Sequence, residues 1–294
     1  MILSLFLALG ANLAFSTASL FYATYSEKFS AEWVNYFKAI IATLGFAIMV
    51  FIFGFHGDAK TQSYILLTIS GTCGLFIGDI FLLKAMASIG AGRTLMLFGF
   101  SPLILGVSAY YLFDQSFDPQ KLIAILCLVG CLWSFAVEGL KTKGHWEIQG
   151  LSYAMIGVLL DNAGVLMTRQ SFEISPDMSA FQANLVRAFA TVIGFSIMAL
   201  VPLFKFKPQH FWSKMNRKET IVLTIISFLG TCISLGFYLT AIKIGHLATV
   251  SAVAVTSPLF ATLLEILTGK KKANRYLVAG LFFFIVGFLI LVFM

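Results

Sequence analysis

"NYFKAIIATLGF" occupies residues 35–46 and "NLVRAFATVIGF" residues 184–195. Set against each other at an offset of 149 without a gap, they match at Asn35/Asn184, Ala39/Ala188 and Gly45-Phe46/Gly194-Phe195, and each carries a base, Lys38 or Arg187. Both stretches are greasy enough to sit in oil, so an ammonium or guanidinium inside them needs a reason. At the same offset Asn12 falls on Asp161. Further on, small shifts align Gly71-Thr72-Cys73 with Gly230-Thr231-Cys232 and Ser101-Pro102 with Ser257-Pro258. Pairing Gly78 with Gly236 leaves Asp79 opposite an apolar Phe237. Chance explains one such match between apolar helices, but not an ungapped window together with matched Ser-Pro pairs.

The composition says where this repeat lives. Of 294 residues, 59% are hydrophobic and 11% charged, whereas soluble domains are about a quarter charged. A span needs about 20 mostly apolar residues to cross roughly 30 Å of hydrocarbon. Such runs lie near 1–24, 31–55, 63–84, 93–113, 120–139, 148–170, 178–203, 220–243, 247–268 and 275–294. The expected fold is therefore an all-α integral membrane protein of ten transmembrane helices. Residues 1–24 lack a basic leader and are too long for a signal peptide, so they read as a retained first helix.

Five spans fall in each half, 1–144 and 145–294. An odd number makes the second half enter the membrane from the other side, giving two inverted five-helix repeats. The loops agree. Twelve residues after each matched proline, Asp114 opens the acidic "DQSFD" and Lys270 the basic "KKKANR".

The net charge of +7 is an orientation signal rather than a nucleic-acid footprint. Loops after spans 1, 3, 5, 7 and 9 hold fourteen of the bases, against four (Lys60, Lys121, Arg169, Lys243) in the opposite loops. The positive-inside rule places the former in the cytoplasm and both termini on the non-cytoplasmic side. The expected location is the plasma membrane, in a bacterium the inner one. The four cysteines all lie within spans, and Cys127 and Cys131, one helical turn apart, have no histidine or carboxylate near them in sequence, so no metal site and no cofactor are expected.

Ten spans in two halves, a base early in spans 2 and 7, and a proline in spans 4 and 9 resemble the EamA-like branch of the drug/metabolite transporter superfamily, over almost the whole chain. The family often has an acidic residue in the loop after spans 4 and 9; Asp114 fits that pattern and Lys270 departs from it. The resemblance implies a transporter of metabolites such as amino acids, amines or related solutes, in either direction.

Four charges lie well inside spans: Lys38, Asp79, Asp161 and Arg187. Each costs about 2.5–3.5 kcal/mol on insertion scales if it faces lipid, so each should face protein or water. Depth along the spans, at about 1.5 Å per residue, pairs Lys38 with Asp79 and Arg187 with Asp161. One reading is two fixed ion pairs; the other is carboxylates that bind a cationic group or a proton in a wet cavity. The cavity candidates are Asp161, Asp79, Asn12, Asn35, Asn184, Lys38, Arg187, Trp133 and Tyr238. Pro102 and Pro258 each remove a backbone hydrogen bond in mid-span, so kinks are expected near Ser101 and Ser257. Trp33, Tyr36, Tyr110, Tyr111 and Trp212 sit near span ends and read as interfacial belt residues.

Inverted repeats, mid-depth polar groups and kinked helices together point to a secondary transporter that works by alternating access. Its partners would be a small solute, the lipid bilayer and, if flux is proton-coupled, protons, with no nucleic acid; the oligomeric state is open. No Walker motif is present, so nothing in the chain couples to ATP. A non-transporting sensor or scaffold gives no reason for Asp161 and Asn12. An intramembrane hydrolase built on "GFSP" at 99–102 would lack a histidine base within any span. The expectation is thus not an enzyme.

Overall fold

A backbone in hydrocarbon must satisfy its own N–H and C=O groups, so apolar runs of this length become helices. The computed structural model describes residues 2–55, 57–114, 148–204, 206–254, 256–267 and 274–293, with scattered positions between 122 and 141. The described residues are helical, with no strand among them. Six helices are long and apolar enough to cross a membrane: α1 (Ile2–Lys28), α2 (Ala31–Phe53), α3 (Thr61–Ile89), α6 (Ile148–Ile174), α7 (Ala180–Leu200) and α8 (Arg217–Ile244). Between and after them lie α4 (Ala91–Leu97), α5 (Ser101–Phe113), α9 (Leu247–Ala254), α10 (Ser257–Leu267) and α11 (Arg275–Phe293). The span expected over 120–139 falls largely outside the described residues, as do the acidic and basic loops that begin after Asp114 and at Lys270.

The repeat read from the sequence has local counterparts. Ser30 and Ser179, again 149 apart, cap α2 and α7 by accepting from Trp33 N at 3.2 Å and Gln182 N at 3.1 Å. The Gly-Thr-Cys triplets both fall in π-helical turns, Gly71–Gly78 in α3 and Phe228–Ile233 in α8. Such wide turns inside long helices are uncommon and concentrate at functional sites.

The helix of the expected fourth span is interrupted by a 3₁₀ turn, Phe98–Phe100, immediately before Ser101-Pro102. The ninth is interrupted between Ala254 and Ser257, again just before the Ser-Pro pair. Proline withholds an N–H and crowds the preceding turn, so carbonyls there need other donors. At the second break side chains of α1 donate to acceptors on either side of it. Asn12 Nδ2 donates to Val253 O at 2.6 Å and Thr256 Oγ1 at 3.2 Å, and Ser16 Oγ donates to Ser257 O at 3.0 Å. At the first break Asn162 Nδ2 on α6 donates to Ser101 Oγ at 3.1 Å.

The two sequence halves do not sit as separate bodies. Helix α3 of the first half packs along α6 of the second, α1 packs along α8, and α2 crosses α7. Lipid offers no hydrophobic drive between helices, so close contact and polar links do the work. Along α3–α6, Gly157 and Gly164 face the backbones of Leu82 and Ser70, and Ser70 Oγ donates to Gly164 O at 2.6 Å. Near the start of α3, Ser63 Oγ reaches Ser171 O at 3.1 Å and Ser175 Oγ at 2.8 Å.

One end of the bundle is shut by aromatic packing. Trp33, expected at the lipid interface, is fully buried against Phe37 and Trp212, and Tyr36 packs on Phe195 and Phe206. The helix-end position was right, but α1, α8 and the turn at Pro208–Trp212 close over it. Lys84–Glu32 at 2.6 Å and Lys28–Glu219 link helices at the same end. Tyr110 and Tyr111 are exposed, as belt residues should be.

Candidate functional site

Between the pairs α3–α6 and α1–α8 lies a cavity of about 100 Å³, room for several waters. Its walls come from both halves: Asn12 on α1, Leu75 and Asp79 on α3, Asp161 on α6, Ser234, Leu235 and Tyr238 on α8, with Leu95, Phe98 and Ser257 from the broken helices.

The register of α3 against α8 follows from hydrogen bonds. Asn35 Nδ2 donates to Leu75 O at 2.8 Å and Phe76 O at 3.1 Å, and Asn184 Nδ2 donates to Leu235 O at 3.0 Å. Phe76 and Leu235 are 159 apart, the same offset as the Gly-Thr-Cys triplets. At that offset Asp79 corresponds to Tyr238, not to Phe237 as expected from pairing the single glycines. Phe237 is 42% exposed on the outer face of α8, whereas Tyr238 shares the cavity with Asp79. The layer then has two related sets: Asn12, Lys38 and Asp79 in one half, Asp161, Arg187 and Tyr238 in the other.

The sets differ in how their charges are met. Lys38 is buried, with Nζ 2.7 Å from Asp79 Oδ2 and 4.8 Å from the ring centroid of Tyr22. Tyr22 OH in turn donates to Ile226 O at 3.2 Å and pairs with Thr231 Oγ1 at 3.2 Å. Lys38 is thus satisfied from one side by a carboxylate and from the other by an aromatic face. Arg187 is also buried, yet it forms no ion pair with Asp161 within 4 Å, and its Nε has no hydrogen-bond partner. The two groups come close around Gly74: a side chain there would begin 3.6 Å from Arg187 Nη2 and 3.9 Å from Asp161 Oδ1. Asp161 makes no hydrogen bond or ion pair among the described residues and opens onto the cavity.

Four of the nine sequence candidates line the cavity: Asn12, Asp79, Asp161 and Tyr238. Lys38 reaches it through Asp79, and Arg187 lies behind Asp161. Asn35 and Asn184 lie outside its lining, their amides spent on helix carbonyls, and Asn35 borders a void of about 10 Å³. Trp133, expected inside, is 71% exposed and outside the cavity; its indole turns to the surroundings of the bundle. Asn162 was missed. The adjacent pair Asp161-Asn162 in mid-span was the available signal, since neighbouring residues on a helix point about 100° apart and so serve different contacts. Ser234 was missed too; its Oγ donates to Ala11 O at 2.9 Å. Among the described residues no group of three or more His, Cys, Asp or Glu is placed to hold a metal.

The chain matches the EamA-like transporter family over residues 2–136 and 148–293. It belongs to that family. EamA-like proteins are membrane transporters of the drug/metabolite type, so this chain is a multi-pass membrane protein whose partners are a small solute and lipid. The match falls in two segments, as an internal repeat requires. No curated protein matches the chain. Among solved structures, 29 chains match; one, described as "Crystal structure of protein", has a TM-score of 0.76 at 13% identity, covering 99% of this chain and 96% of its own. At that identity the likeness speaks for the fold alone.

Proposed function

We propose that this EamA-like protein is a secondary transporter that moves a small organic metabolite, an amino acid, amine or related solute, by alternating access. In this reading ten spans form two inverted repeats, residues 1–144 and 145–294, with both termini on the non-cytoplasmic side of a plasma membrane. The interleaved packing supports walls drawn from both repeats: α3 to α6 on one side, α8 to α10 with α1 on the other. Tilting one wall against the other would open the cavity first to one face of the membrane, then to the other.

The single observation that carries the reading is Asp161. A carboxylate in mid-bundle, facing a cavity without hydrogen bond or ion pair among the described residues, is costly and purposeful. Its role is to receive a cationic group of the solute or a proton, with Arg187 close enough to compensate when the site is empty. Asp79 is already matched by Lys38 and shapes the same wall, on α3 beside α6.

The experiment is uptake of radiolabelled solutes, chosen by a thermal-shift screen of amino acids, amines, nucleosides and sugars, into proteoliposomes holding the protein or Asp161→Asn. The proposal expects flux that Asp161→Asn abolishes. Solute binding with no flux would favour a sensor instead.

A further inference from the structure

Asn35 is buried, 2% exposed, and spends both donors of its amide on carbonyls of the neighbouring helix. Why those carbonyls need a donor follows from the π turn. Asp79 N–H reaches back five residues to Gly74 O, and from Asp79 onward the helix is α, bonding back four. Where five-residue bonding returns to four-residue bonding, one carbonyl is passed over, here that of Leu75. A buried carbonyl left bare costs about 1–3 kcal/mol, and Asn35 Nδ2 takes it at 2.8 Å.

The extra residue in a π turn has a second consequence. Each residue advances an α-helix by about 100°, so absorbing one residue rotates everything after the turn by that amount relative to an uninterrupted helix. Asp79 is the first residue after the turn. Its aim toward Lys38, one turn along α2 from Asn35, depends on the turn staying wide. The amide that satisfies the turn and the cation that receives the carboxylate are thus three residues apart on one helix.

We infer that Asn35 is a positioning residue: by taking the carbonyl freed in the π turn of α3, it holds Asp79 on Lys38 and at the cavity wall. Asn184 makes the corresponding bond in α8, to Leu235 O, two residues beyond that helix's π turn. The inference deepens the reading of the cavity given above, but its test needs no transport.

The test is a set of double-mutant cycles on thermal unfolding of the purified full chain in detergent. Asp79→Asn is measured alone, with Asn35→Leu and with Asn184→Leu; Asn35→Ala replaces Asn35→Leu if the latter does not accumulate. Breaking the ion pair should lower Tm in the wild-type and Asn184→Leu backgrounds. In the Asn35 background the carboxylate is already turned away, so Asp79→Asn should lower Tm no further. A merely structural Asn35 predicts additive losses. Equal Tm losses from Asp79→Asn in all three backgrounds would overturn the inference, as would disappearance of the loss in the Asn184 background, which would mean general loosening.

Discussion

Lys38 Nζ and Asp79 Oδ2 meet at 2.7 Å in the middle of the bundle, while the related Arg187 and Asp161 stay unbonded beside Gly74. Lys38 and Arg187, equivalent by repeat, have therefore been put to different uses, one in a closed pair and one beside an open carboxylate.

The closed pair should matter first for stability. Lys38→Met leaves Asp79 without its cation, and breaking a buried pair from one side costs about 3–5 kcal/mol. Asp79 retains 16% side-chain exposure at the cavity, so the lower end, about 3 kcal/mol, is expected. Lys38→Met/Asp79→Asn should recover part of that loss in reversible unfolding in detergent. If Lys38→Met unfolds like wild type, the pair contributes nothing to folding.

The open carboxylate should behave in the opposite way. Among the described residues Asp161 holds no hydrogen bond or ion pair to lose, so Asp161→Asn should cost less than the about 3 kcal/mol of Lys38→Met, the loss being only the charge that faces buried Arg187, while abolishing uptake. A variant that is badly destabilised would make Asp161 structural.

Close helix contact gives a third expectation. A Cβ on Gly71 would fall 2.7 Å from Arg187 Cα and 2.9 Å from Arg187 C, inside contact distance to backbone that cannot step aside. Gly71→Ala should cost about 1–3 kcal/mol, as overpacking does. Gly92→Ala, where nothing lies within 4 Å, should be neutral. Tm measurements on the two variants check this directly.

The repeat itself can be weighed. Ser30→Ala and Ser179→Ala each remove one helix cap, so each should cost about 1 kcal/mol, and the double variant should lose both, the two caps sharing no partner. Unequal costs would show that the two caps are not energetically equivalent.

The architecture was readable because it rests on patterns the bilayer enforces. Apolar runs of about 20 residues, an ungapped match around Asn35 and Asn184, and Ser-Pro pairs each have one physical meaning. The intramembrane charges were readable because charge in lipid is expensive, and Lys38–Asp79 followed from depth alone. Direction around the helix was harder to read. Trp133 faces out and Trp33 in, a difference of azimuth that composition near a span end does not encode. The offset of 159 between the Gly-Thr-Cys triplets pairs Asp79 with Tyr238, whereas pairing the single glycines, at 158, moves it to Phe237. Asn35 and Asn184 looked like cavity groups because the matched asparagines stand beside the bases; only the hydrogen bonds show that their amides are committed to backbone.

Alternating access requires a central chamber that faces each side of the membrane in turn. The direct measurement uses Ser234→Cys on the cavity wall, in a chain with its native cysteines replaced, and applies a membrane-impermeant thiol reagent from either face of oriented vesicles. Alternating access predicts labelling from both faces, with solute protecting against each. Labelling from one face only, or from neither, would contradict it.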